Sequence, residues 1–196
     1  MKTAIFLLLD NYADWEGAYL SSQLNQKDDW QIRTASTQKE VISMGGFRTT
    51  IDYLLAELPK PKTIDLLVLV GGKSWEIENQ QLFDYISACL QNRVVVGAIC
   101  DAVSYLAKNG LLNNVQHTGN ALAFWKDFQG YHNSKDFIEK QAVKCENLIT
   151  ANGTAPLEFT QLVLEAVDVS SEEAEQFFNI YKLGFYAFSQ KFGSPF

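Results

Sequence analysis

The chain has 196 residues, of which 47% are hydrophobic and 20% charged, with 12 Gly and only 4 Pro. This profile excludes disordered and collagen-like chains, and a single compact domain of this length buries roughly 70% of its unfolded surface. Lys and Arg number 16 against 23 Asp and Glu, a net charge of −7; with no basic run, neither nucleic acid nor an anionic membrane is an expected partner.

The first apolar run, residues 4–9, is followed by Asp10 and Asp14 without a small-residue cleavage site. It therefore reads as a buried strand and not as a signal peptide. A helical pattern over 18–24 follows, then a strand-like stretch at 30–35 and a segment of undecided type at 47–52. A proline-containing loop at 60–63 leads into the apolar run 64–70, which ends in Gly71 and Gly72. Residues 81–90 place apolar side chains at three- and four-residue spacing, as a helix does. A third run, 94–99, ends at Cys100, and 101–110 is amphipathic, with Val103, Leu106, Ala107 and Leu111 forming its stripe and Gly110 its stop. A strand at 147–151 precedes a helix at 156–167.

Continuous β-branched runs without alternation indicate strands covered on both faces, and their alternation with helices indicates right-handed crossovers. The expected fold is α/β: a three-layer α/β/α sandwich with a mostly parallel, flavodoxin-like sheet and a nucleophile elbow. One domain over 1–196 is expected, with 170–196 an additional C-terminal aromatic helix. Ser170, Ser171, Glu172 and Glu173 supply its cap and early acids, and Phe177, Phe178, Tyr181, Phe185, Tyr186, Phe188 and Phe192 its rings. That helix is a candidate cover for a second protomer.

Ligands in such sheets bind outside the carboxyl ends of the strands, which brings together 10–16, 71–74 and Cys100. A cysteine between a strand and a helix faces the unsatisfied N–H groups of the first turn, which favour thiolate; otherwise it is a small core residue, the reading adopted for Cys89 and Cys145. Glu16 either holds the thiol by a hydrogen bond, its own pKa raised by burial, or is an acid in a first helical turn. Gly71 and Gly72 either aim N–H groups at a developing oxyanion or form a tight turn. His117 is a candidate general base for the thiol or a loop histidine, and His132 reads as the latter. Asp101 caps the helix, contacts a substrate, or opposes thiolate through like charge.

Three cysteines without a Cys-x-x-Cys pair, and two histidines, suggest no disulfide framework, no metal site and no cofactor. No stretch reaches the ~20 apolar residues of a membrane helix, so a cytoplasmic protein with reduced thiols is expected.

Taken together, Asp14-Trp15-Glu16, Gly71-Gly72, the elbow Gly97-Ala98-Ile99-Cys100, the stretch from Leu106-Ala107 to Gly110-Leu111-Leu112, and Asn152-Gly153-Thr154-Ala155-Pro156 resemble the DJ-1/PfpI family, within the class I glutamine amidotransferase-like fold. The resemblance covers roughly 1–168. It implies that Glu16 hydrogen-bonds Cys100 and that backbone donors near Gly72 and Asp101 form an anion site. Asp101 stands where protease-like members carry His, and His117 falls about two residues before the loop histidine of the chaperone and glyoxalase-like branch. Val70 replaces a frequent proline, and the His-Pro-Glu motif of true glutaminases is absent. The resemblance implies an amidase/protease-like or glyoxalase-like enzyme acting through Cys100 on a small amide or carbonyl substrate, as a homodimer or larger homo-oligomer. The alternative is a non-catalytic stress protein that senses oxidation through Cys100.

Overall fold

The computed structural model describes residues 1–195. Its strands, in chain order, are β1 (Lys2–Leu7), β2 (Trp30–Ser36), β3 (Glu40–Ile42), β4 (Arg48–Thr50), β5 (Tyr53–Leu54), β6 (Leu66–Leu69), β7 (Val95–Ile99), β8 (Ala142–Cys145) and β9 (Leu148–Ala151). Seven form one sheet in the order β5-β2-β1-β6-β7-β9-β8, parallel throughout except for β8 against β9. Without the edge strands β5 and β8, the parallel strands lie in the order second, first, third, fourth, fifth, which is the flavodoxin-like winding.

The helices are α1 (Asp14–Asn25), α2 (Gln80–Gln91), α3 (Asp101–Lys108), α4 (Pro156–Ala166), α5 (Ser171–Leu183) and α6 (Phe185–Phe192). β6 shows why the strands lack polar alternation: Leu66, Leu67, Val68 and Leu69 are all fully buried. Leu67 and Leu69 belong to the core under α2 and α3, with Leu82, Ile86 and Leu106. Leu66 and Val68 belong to the opposite core, with Leu20 of α1 and Phe159 and Val163 of α4. Each such side chain contributes about 1.5–3 kcal/mol by leaving water. Gly97 lets α4 approach the sheet, since a Cβ there would come within 2.8 Å of Phe159 Cζ.

Two expectations change. The undecided segment at 47–52 contains β4, which pairs antiparallel with β3 as a hairpin outside the main sheet. The C-terminal aromatic helix is two helices, because Gly184 between them has φ 79° and ψ 160°, a positive φ that breaks the helical path. Ser170 caps α5 as expected, its hydroxyl accepting from the Glu173 N–H at 3.2 Å. α5 also covers this chain's own core: Ala174 and Phe177 are buried, and Tyr19 meets Phe177 and Tyr181 edge to face at 5.9 and 4.8 Å. Phe196 lies outside the described residues. Among the described residues no helix is long and apolar enough to cross a membrane.

The winding places the carboxyl ends of β1, β6 and β7 side by side. β1 leads to α1 on one face and β6 to α2 on the other, so the sheet opens a crevice between them.

Candidate functional site

β7 passes directly into α3, and the residue at the junction is Cys100, with φ 60° and ψ −128°. A non-glycine residue held at such a backbone costs of order 1–3 kcal/mol. The conformation persists because both sides are tied down: the Cys100 N–H donates to Ala151 O at 3.0 Å, and the Val103 N–H donates to Cys100 O at 3.0 Å. The turn lifts a half-buried thiol to the top of the sheet, as a nucleophile elbow does.

The loop after β1 is stapled to the glycine pair after β6. Ala13 N–H donates to Gly71 O at 3.0 Å, and Lys73 N–H donates to Asn11 O at 3.2 Å. Gly72 has φ 146°, and a Cβ on it would lie 2.4 Å from Asn11 O. The staple fixes the start of α1 and drives Glu16 inward, where it is 1% exposed. A Cβ on Gly71 would lie 2.2 Å from Glu16 Oε2 and 2.5 Å from Cys100 Cβ; one on Gly153 would lie 2.8 Å from Cys100 Sγ and 3.1 Å from Glu16 Oε1. The thiol and the carboxyl therefore share a slot that only glycine leaves open on both sides.

Burial raises Glu16 to about 7, against the opposing pull of its hydrogen bond with Cys100 and of the Gly71 backbone, while the Asp101 charge adds to the rise. Oε2 itself is buried without a hydrogen bond of ordinary geometry. The Cys100 thiol is pushed up to about 12, first by burial and then by the charges of Glu16 and Asp101, with only the Asn120 hydrogen bond opposing. The expectation that the helix end leaves Cys100 as a thiolate is thus corrected: burial and two neighbouring carboxyls hold the proton on sulfur. The thiol donates to Glu16, whose carboxyl titrates near neutrality. Burial also raises Asp101, helped by Glu76 and opposed by Asn120.

A model of the DJ-1/PfpI family matches residues 2–166. The chain belongs to that family. It is similar over its whole length to YdeA of Bacillus subtilis, named an uncharacterized protease, at 49% identity and 99% coverage of that protein. Among solved structures it resembles the DJ-1 superfamily protein Atu0886 of Agrobacterium tumefaciens (33% identity, 92% of this chain and 97% of that one, TM-score 0.85). It also resembles a thiJ/pfpI family protein of Bacillus anthracis (34% identity, 93% and 92%, TM-score 0.84). The family model stops before α5, whereas the likeness to YdeA includes it.

Within this DJ-1/PfpI framework the structure brings Cys100, Glu16, Gly71, Gly72 and Asp101 to one crevice, but not His117. The His117 ring is fully buried, with Nδ1 against Val115 O at 2.8 Å and Nε2 against Tyr131 Oη at 2.7 Å. Trp125, Tyr131 and Phe137 surround it, and burial lowers its pKa. Both nitrogens are occupied away from the sulfur, so its candidacy as general base for Cys100 is corrected to that of a core histidine. His132 is exposed in a loop.

The residue that sequence reasoning passed over is Asn120. Its Nδ2 lies 3.4 Å from Cys100 Sγ and 3.2 Å from Asp101 Oδ1. Its position at the end of the Thr118-Gly119-Asn120 string, in the loop after the elbow helix, was the available signal.

Two cavities flank the crevice. One of about 860 Å³ includes Asn120, Asn152 and Leu162 in its wall; the other, of about 430 Å³, includes Asp101, Lys73, Lys108 and Phe124. Phe124 is 64% exposed at the rim, whereas Trp75 and Trp125 are buried and pack. Their indole N–H groups donate to Val70 O and Ser104 Oγ at 2.8 and 3.0 Å. Among the described residues, no group of three or more His, Cys, Asp and Glu side chains is arranged to hold a metal ion.

Proposed function

We propose that the protein is a cysteine-dependent hydrolase, amidase- or protease-like, acting on a small amide or carbonyl substrate. The observation that carries this reading is the pairing of a strained elbow thiol with one buried carboxyl whose pKa is about 7. Cys100 attacks the electrophilic carbon while Glu16 accepts the thiol proton, a general-base step that needs no imidazole. The N–H groups of Gly72 and Asp101 receive the oxyanion. The name of the B. subtilis relative, an uncharacterized protease, agrees with hydrolysis. Three free cysteines favour a reducing, cytoplasmic setting. The rings of Tyr186 and Phe192, 81% and 51% exposed, favour a homodimer or larger homo-oligomer, which sedimentation would test; a monomer at micromolar concentration overturns that part.

The test of the activity is Cys100→Ala against a panel of amides, peptides and 2-oxoaldehydes. Turnover by the native chain that falls to the buffer blank in the variant is expected, and turnover that survives the substitution overturns the proposal.

One observation favours a second reading: Asn120, not a ring nitrogen, stands against the sulfur. Cys100 would then be a sensor oxidised by peroxide to a sulfinate. Intact and peptide masses after peroxide decide it, since modification of Cys145 or Cys89 ahead of Cys100 removes its basis.

A further inference from the structure

We infer that the Asn120 side chain is an oxyanion donor for attack by Cys100. The inference rests on the hydrolase reading above, because it requires a carbonyl at the sulfur.

Asn120 is exposed at the rim of the crevice, yet each polar atom of its amide is engaged. Oδ1 accepts from the Gly153 N–H at 2.8 Å, while Nδ2 faces Cys100 Sγ at 3.4 Å and Asp101 Oδ1 at 3.2 Å. A backbone N–H can only donate, so the bond from Gly153 fixes which end of the amide is oxygen and turns the NH2 toward the sulfur. The loop that carries it is tied to the sheet. Thr118 N–H donates to Thr150 Oγ1 at 2.9 Å, and Thr118 Oγ1 donates to Lys140 O at 2.7 Å. The donor is therefore held in place before any substrate arrives.

In the addition step, Sγ forms a bond to the carbonyl carbon, the C=O π pair moves onto the oxygen, and the thiol proton passes to Glu16. The new oxyanion is attached to the carbon that sulfur has just bonded, so it arises about 3 Å from Sγ, in the space the Nδ2–H already faces. Before attack that N–H meets a sulfur, which is a weak acceptor. Afterwards it meets an anionic oxygen, so the bond strengthens on the way to the intermediate, which is the condition for lowering the barrier. A neutral amide cannot take the thiol proton, and the base remains Glu16.

The experiment compares two reactions of the full-length chain at Cys100. Acylation by p-nitrophenyl acetate passes through an oxyanion, whereas alkylation by iodoacetamide does not. Both are located by peptide mass, in the native protein and in Asn120→Ala and Asn120→Leu, the second of which keeps the side-chain volume if the first folds poorly. Acylation is expected to fall by about 10²–10³-fold, with the ratio of acylation to alkylation falling at least tenfold. A ratio that changes less than that overturns the inference, because Asn120 would then only hold the thiol. A p-nitrophenol burst that persists in Cys100→Ala would instead overturn the cysteine chemistry itself, so the two failures are distinguishable.

Discussion

Glu16 is the carboxyl whose ionisation falls within the working range of a neutral solution, because burial lifts it to about 7 while the thiol beside it is pushed to about 12. Acting as proton acceptor, it must be ionised for attack. The rate constant for Cys100 acylation is therefore expected to rise with pH as Glu16 loses its proton, and to level off above about pH 8. Glu16→Gln preserves the shape but cannot accept the proton; it should remove this limb and lower the rate at pH 8 by about 10²-fold or more. A pH profile of single-turnover acylation from pH 5 to 9 measures both effects, and an unchanged limb in the Gln variant would assign it to another group. Cys100 and Glu16 were legible from sequence because each follows an apolar strand by a fixed, short connection. His117 was not. Its loop direction depends on Thr118 bonding to Thr150 and Lys140, partners distant in sequence, and that anchoring accompanies an imidazole turned into the core and an Asn120 amide at the crevice.

At the level of elements, the site is a meeting of four turns, those after β1, β6, β7 and β9, and glycine sets how closely they approach. The turn from β9 into α4 brings Gly153 against both reacting side chains. Gly153→Ala adds a methyl that would lie 2.8 Å from Sγ, closer than real Cβ contacts come, and a tight 3.1 Å from Glu16 Oε1, so the thiol must shift from its place beside the carboxyl or the turn must move. An acylation rate lowered by tenfold or more is expected, with a thermal midpoint changed by only a few degrees; a variant with native kinetics would show that the slot has slack. The elements that resisted sequence reading are those whose pairing is brief. β3 and β4 have three residues each, Glu40-Val41-Ile42 and Arg48-Thr49-Thr50, too short for a period to register. α5 and α6 carry one continuous aromatic pattern, yet a single positive φ at Gly184 divides them. The same pattern suggested a cover for another protomer, whereas Phe177 packs into this chain's own core beside Tyr19.

For the whole molecule, the layering was legible because Ala4 to Leu9, the β6 run and the β7 run must hide both faces. The order of the central strands came with the flavodoxin-like expectation and from no local pattern, since nothing in β1 states that it lies between β2 and β6, and the antiparallel β8 edge has too few residues to announce itself. The architecture also sets a stability cost for the candidate site. A carboxyl whose folded pKa stands above its unfolded value binds its proton more tightly when folded. Its contribution is fully present below the unfolded pKa and is lost as pH rises through the folded one. For Glu16, raised from 4.5 to about 7, the window runs from roughly pH 4.5 to pH 7, and the loss amounts to about 3 kcal/mol at most. Glu16→Gln has no proton to lose there. Urea unfolding of both proteins across pH 4 to 8 should therefore show the native chain losing stability relative to the variant as pH rises, by up to that amount and with the steepest change below pH 7. Taking the difference between the two proteins cancels the titrations they share, Asp101 included where its environment is unchanged. A difference that stays flat with pH would mean that Glu16 is not held protonated by the fold, and a limb of the acylation profile near pH 7 would then belong to another group.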